Sequence, residues 1–246
     1  MTRARLRTIR RRLRAARESL VGRLYGVVVG VDVKLPLVAL TFDDGPDPVT
    51  TPRVLDVLER HGARGTFFMV GQRARRHPEL VARVAAAGHT VAHHTLDHLS
   101  LPGLDHERVR SQIADGYEAV KPHGVRLFRP PRGHLDLATW RVVRREGHEI
   151  IAWTRHAFDW TTQDEPTLTA RLQTCLMPGA IVLLHDAPQR CDAVDGSARS
   201  ELLGALEGLL GAQGPWRFVT VPELLAAGRP RRLVRWHLPT PDTRAS

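Results

Sequence analysis

Seven short apolar runs, each followed by a stretch of helical period, constrain this chain more than any other feature. The runs at 37–40, 65–70, 90–93, 126–129, 149–153, 180–185 and 217–221 read as strands. Segments 52–61, 78–87, 107–120, 136–146, 166–176 and 198–210, with a short piece ending at Ala227, read as helices. Gly62 and Gly88 stop the first two, and Thr50 or Thr51 is the expected cap of the first. Strands alternating with helices build a parallel sheet, either open or closed into a barrel. No G-x-G-x-x-G follows the first run, which removes the dinucleotide-binding form of the open sheet.

The polar residues choose between the two. Asp43 and Asp44 end the first strand, His94 and His98 follow the third, and Arg129 ends the fourth. Asp159 and Trp160 follow the fifth, and His185 ends the sixth. All lie at strand C-terminal ends, the face on which barrels build their sites. The expected fold is therefore α/β, an irregular, TIM-like (β/α) barrel of about seven parallel strands. It would span residues 34–227, between an N-terminal arm at 1–33 and a Pro/Arg-rich tail at 228–246.

Within Thr41-Phe42-Asp43-Asp44-Gly45-Pro46-Asp47, two carboxylates sit side by side. They repel, and a cation holding one of them relieves the repulsion. Alone, the stretch reads equally well as a solvated Asp-Gly turn. His94-Thr95-Leu96-Asp97-His98 adds two histidines four apart, which face the same way on a helical turn. One carboxylate with two imidazoles is a three-ligand set that leaves metal positions open.

Charge is unevenly placed. The chain of 246 residues carries a formal +10, and nine arginines against Glu18 in residues 1–23 account for +8 of it. Leu6, Ile9, Leu13, Ala16, Leu20 and Leu24 recur at steps of three and four, so the arm reads as a basic amphipathic helix. It suits an anionic membrane surface, an acidic partner or the flank of its own domain. No aromatic residue precedes Tyr25 to stack on bases, so no specific nucleic acid is expected. The apolar run 24–31 is too short for an export signal or a membrane span, and the expected location is cytoplasmic, peripheral to a membrane. Cys175 and Cys191 make no metal pattern and read as one core and one loop cysteine.

Five stretches in order resemble the motifs of the polysaccharide deacetylase family, the proteins sharing the NodB homology domain. They are Thr41-Phe42-Asp43-Asp44-Gly45, His94-Thr95-x-x-His98, Arg129-Pro130-Pro131-Arg132-Gly133, Asp159-Trp160 and Leu183-Leu184-His185. The resemblance covers most of the chain. It implies removal of acetyl from N-acetylated amino sugars in chitooligosaccharide- or peptidoglycan-type glycans. O-acetyl ester hydrolysis and a catalytically idle sugar-binding domain are the alternatives. It implies one divalent ion on Asp44, His94 and His98, zinc first, with cobalt, nickel or manganese as substitutes. Asp43 would be the general base, oriented by Arg129, and His185 the general acid, held charged by Asp159. The backbone N–H near Arg132 would meet the oxyanion, and Trp160 with Leu183 would line the acetyl slot. Two positions depart from the family pattern. Arg132 stands where Tyr is usual, and His156 where the fourth motif begins with Asp. The Arg form is similar to the muramic-acid deacetylase branch, and a cationic rim would suit an anionic sugar.

Overall fold

In the computed structural model, residues 26–187 and 199–234 are described. The strands are β1 (Val27–Asp32), β2 (Leu37–Asp43), β3 (Gly65–Met69), β4 (Thr90–His93), β5 (Gly124–Phe128), β6 (Glu149–Ile150), β7 (Arg155–His156), β8 (Ala180–His185), β9 (Arg217–Phe218) and β10 (Arg229–Leu233). The helices are α1 (Thr50–Arg60), α2 (Gly71–Arg76), α3 (Pro78–Ala86), α4 (His106–Glu118), α5 (Leu137–Arg145), α6 (Glu165–Cys175), α7 (Ser200–Gly211) and α8 (Val221–Ala227).

One sheet runs β10-β1-β8-β2-β3-β4-β5-β6, with β7 added on β8 and β9 on β2. Strands β2, β3, β4, β5, β6 and β8 pair in parallel, whereas β1 runs antiparallel to β8 and to β10. Beyond β6 the sheet curls far enough for Ile151 to bridge Val28 of β1. The expected barrel is therefore present in an irregular form, a curled and mostly parallel sheet.

Alternation along β2 sets the two sides of that sheet. Val38, Leu40 and Phe42 join Val54 and Leu58 of α1 in the layer beneath the helices, where Phe42 stacks on Phe67 at 4.8 Å. Leu37 and Ala39 turn the other way, into a cluster with Val28, Phe68, Ala92 and Ile181. Thr41 and Asp43 continue that second row and carry it from apolar packing to polar chemistry at the strand's end.

Three strands were not expected. Val27–Asp32, read as part of the arm, pairs with β8 and β10, and the basic Arg229–Leu233, read as tail, forms the edge. The two-residue β7 lies on β8. The cap of α1 also differs, because Asp47 Oδ1 accepts from the amides of Val49 and Thr50 at 2.9 and 2.7 Å. Asp105, Asp136 and Asp164 cap α4, α5 and α6 in the ordinary way. The basic arm as far as residue 25, Cys191 and the tail beyond residue 234 lie outside the described residues. Among the described residues, no helix is long and apolar enough to cross a membrane.

Candidate active site

Parallel register brings the acids and histidines to one end of the sheet. Asp43 of β2 pairs with His185 of β8, and Thr41 with Leu183, so the two rows end side by side. Immediately past Asp43 the chain turns with Asp44 at φ 75°, which redirects its carboxylate. His94 leaves the end of β4, and His98 follows through a bend. Here the helical turn expected for the two histidines is absent. Thr95 and His98 adopt left-handed φ values of 67° and 57°, and the imidazole centroids come to 5.0 Å by that route. Asp97 anchors the bend, accepting from Gln72 at 2.6 Å and from Gln112 at 2.8 Å.

Asp44, His94 and His98 each offer a ligand atom within 4.8 Å of the others. His98 Nε2 lies 3.1 Å from Asp44 Oδ1, and His94 Nε2 lies 3.7 Å from it. The Nδ1 of His94 is engaged by the Arg129 carbonyl at 2.6 Å, which leaves Nε2 free for a metal. Burial pushes His94 down to about 4, so it stays neutral as a ligand must. Both oxygens of Asp44 are buried, and among the described residues Oδ2 has no hydrogen-bond partner while Oδ1 faces the His98 and His94 ring nitrogens. Burial opposes its ionisation, but His98, His185 and His94 outweigh that and hold the carboxyl below its usual range. A buried, charged carboxylate with one oxygen left unpartnered is expensive, and a divalent cation satisfies it. The three residues fit such an ion.

Asp43 is tied differently. Arg129 Nη1 donates to it at 2.7 Å and to Thr41 Oγ1 at 2.8 Å, while Nη2 holds the Ala152 carbonyl at 3.0 Å. The guanidinium is fully buried and lies 4.1 Å over the Phe68 ring. Its carboxylate partner is thus fixed from one side and open toward His94 Nε2, 3.8 Å away.

His185 faces its own carboxylate. Nδ1 stands 3.0 Å from Asp159 Oδ1, and the His185 amide donates to Oδ2 at 2.8 Å. Burial works against the charged ring, yet Asp159, then Asp44 and Asp43, raise it to about 9. Trp160 meets the imidazole edge-on at 5.4 Å, and buried Leu183 sits two residues back on the same side of β8. Arg132 is exposed on the turn three residues past Arg129, with φ 57°. His156 packs 4.3 Å from Phe158 and 5.2 Å from Trp160.

Three residues here escaped the sequence reading. Thr41 was legible, being two positions before Asp43 on a strand. Asp186 is buried just past His185 and turned to the helix side, where Thr51 of α1 donates to it at 2.5 Å. Arg199 reaches Asp159 at 2.8 Å from forty positions away. No local signal announces that contact.

Relatives of known activity cover most of the chain. Residues 30–151 match the family model described as polysaccharide deacetylase. A peptidoglycan-N-acetylglucosamine deacetylase of Bacillus cereus is 37% identical over 196 residues, 77% of this chain and 88% of the relative. A chitooligosaccharide deacetylase of Sinorhizobium fredii is 34% identical over 183 residues, covering 72% and 85%. Among solved structures, a peptidoglycan N-acetylglucosamine deacetylase in complex with a naphthyl N-hydroxybenzamide superposes with a TM-score of 0.70. It is 28% identical, over 86% of this chain and 98% of that one. With this similarity along most of its length, the chain belongs to the polysaccharide deacetylase family.

Proposed function

We propose that this protein is a metal-dependent hydrolase that removes acetyl from N-acetylated amino sugars, in glycans of the peptidoglycan or chitooligosaccharide type. The observation that carries it is the pairing of two separately partnered groups in one register. Asp43, bound by Arg129, and His185, bound by Asp159, stand on adjacent strands beside the Asp44-His94-His98 set.

A divalent ion on Asp44, His94 and His98 would polarise the acetyl carbonyl and a water molecule. Zinc suits one carboxylate and two imidazoles, and cobalt, nickel or manganese would substitute. Asp43 takes a proton from the attacking water, its free edge aimed by the Arg129 bond. The water oxygen joins the acetyl carbon, and the C–N bond breaks as His185 gives its Nε2 proton to the departing nitrogen. That proton is needed because an amine cannot leave as an anion near neutral pH. Asp159 holds Nδ1 and keeps the other nitrogen turned outward. Acetate and a free amine are the products. The backbone N–H near Arg132 is assigned to the developing oxyanion, and Trp160 with Leu183 to the acetyl methyl.

The test is incubation with acetylated chitooligomers, peptidoglycan fragments and O-acetylated sugars, measuring acetate and free amine separately. Acetate with equal amine supports the assignment. Acetate without amine would make it an esterase, and neither product with any of the four metals would leave a sugar-binding domain. A location peripheral to a membrane rests on the basic amphipathic arm. Liposome binding with and without residues 1–24 tests it.

A further inference from the structure

Arg199 belongs to none of the five motifs. It stands at the last position before α7 with a left-handed backbone, φ 41°. From there its side chain, 15% exposed, reaches back across the sheet end. Nη2 donates to the Asp159 carbonyl at 2.6 Å and to Asp159 Oδ2 at 2.8 Å, and Nη1 donates to the Ala187 carbonyl at 3.2 Å. Ala187 lies two residues beyond His185. Among the described residues, the remaining bonds of the Asp159 carboxylate both go to His185, one to its ring and one to its amide. One guanidinium therefore grips the back of the carboxylate and the main chain on either side of the pair.

We infer that Arg199 is a positioning residue for the proton donor. It fixes the Asp159 carboxylate against His185, and its charge limits how tightly that carboxylate holds the imidazolium proton. The inference rests on the reading of His185 as general acid.

The charge balance around the ring explains the need. Asp43 at the end of β2 and Asp44 just past it act on His185, as do Asp159 from the segment after β7 and His156 from β7 itself. Asp186 follows just past the end of β8, with its carboxyl turned away to Thr51. Asp159 alone of these acids bonds the ring, and it keeps its hold on an imidazolium that must still release its proton to the leaving nitrogen. A donor held too firmly is a weak acid. A second cation on the same carboxylate loosens the hold without breaking the bond. Arg suits the place because its planar fork makes several bonds at fixed angles, whereas Lys supplies a point charge.

The full chain with zinc added, as wild type, Arg199→Gln and Arg199→Lys, provides the test. Histidine resonances are titrated by NMR, with His185 assigned from the His185→Ala spectrum, and pH–rate profiles are taken for amine release. Arg199→Gln should raise the His185 midpoint by about half to one unit, less than the 1–3 units of a direct ion pair. The alkaline limb of the rate should move with it, and kcat should fall. Arg199→Lys keeps the charge, so its midpoint should stay near wild type while kcat still falls. A His185 midpoint that does not move in Arg199→Gln would overturn the electrostatic role and leave a main-chain staple. Should the Gln variant not fold, an unchanged kcat in Arg199→Lys would overturn the positioning role. The NMR midpoint needs no turnover, so a protein inactive on every sugar would sink the proposed reaction and still answer for Arg199.

Discussion

Arg129 and Asp43 form an ion pair at 2.7 Å with the guanidinium wholly shut off from solvent. The same guanidinium also bonds Thr41 and the carbonyls of Ile151 and Ala152, so nearly every donor is used inside the barrel. Substituting Arg129→Met would strand a buried carboxylate. Breaking a buried pair from one side costs about 3–5 kcal/mol. Urea unfolding of chelator-treated protein should show a loss of that size. Arg129→Lys should lose less, since it keeps the charge and forfeits the fork. Wild-type stability in Arg129→Met would show that Asp43 needs no partner.

The unpartnered Oδ2 of the buried Asp44 predicts metal-dependent stability. Added zinc should raise the melting temperature of chelator-treated wild type, with about 2.7 kcal/mol gained at one hundred times Kd. His94→Ala, His98→Ala and Asp44→Asn should each forfeit most of that gain and lose bound metal on elemental analysis. Asp43→Asn, bound to Arg129 and outside the ligand set, should keep its metal while losing turnover. A full zinc response in both histidine variants would dismiss the three-residue site.

His185, if it donates the proton as proposed, should set the alkaline side of the pH profile. Its folded value of about 9 lies above the ordinary 6.5. The stability it contributes is therefore complete below about 6.5 and is lost as pH rises through about 9. The rate should follow the same protonation and fall on the alkaline side. A bound cation offsets the contributions of Asp43 and Asp44, so with metal the midpoint belongs below 9. His185→Ala should lose on the order of 10²–10⁴ in kcat. Near-native turnover in that variant would mean that another group donates the proton.

Most of the site was readable because strand ends are readable. The apolar run before Asp43 and the run before His185 place both residues, and parallel pairing puts them abreast. The histidine pair was found through its spacing, although the bend that joins the rings is left-handed backbone and not a helical turn. Spacing survives such a substitution of geometry, since both routes bring residues four apart together. What escaped has no local pattern. β10 reads Arg-Pro-Arg-Arg-Leu and becomes a strand only because β1 offers an edge. The Arg199–Asp159 and Thr51–Asp186 contacts join distant segments, and nothing near any of the four residues announces its partner.

Asp186 gives the last prediction. Its Oδ1 is buried and accepts no hydrogen bond among the described residues, while Oδ2 is held by Thr51, whose hydroxyl also accepts from the Asp47 amide at 2.8 Å. There is no room to relax on the other side, because a Cβ added at Gly45 would run into this carboxylate. Burial raises the group to about 7, Asp44 and Asp47 add to that, and Thr51 opposes it. In the unfolded chain it titrates near its ordinary 3.8. Between these values the unfolded chain ionises and the folded one does not, so stability is lost as pH rises from about 4 through about 7. Asp186→Asn removes the titration and keeps the shape. Its stability relative to wild type should therefore climb between about pH 4.5 and pH 8, measured by urea unfolding without metal. Zinc beside Asp44 cancels one of the charges that raise Asp186, and the climb should shrink when zinc is added. A stability difference that stays flat across this range would show that Asp186 is ionised in the folded protein throughout.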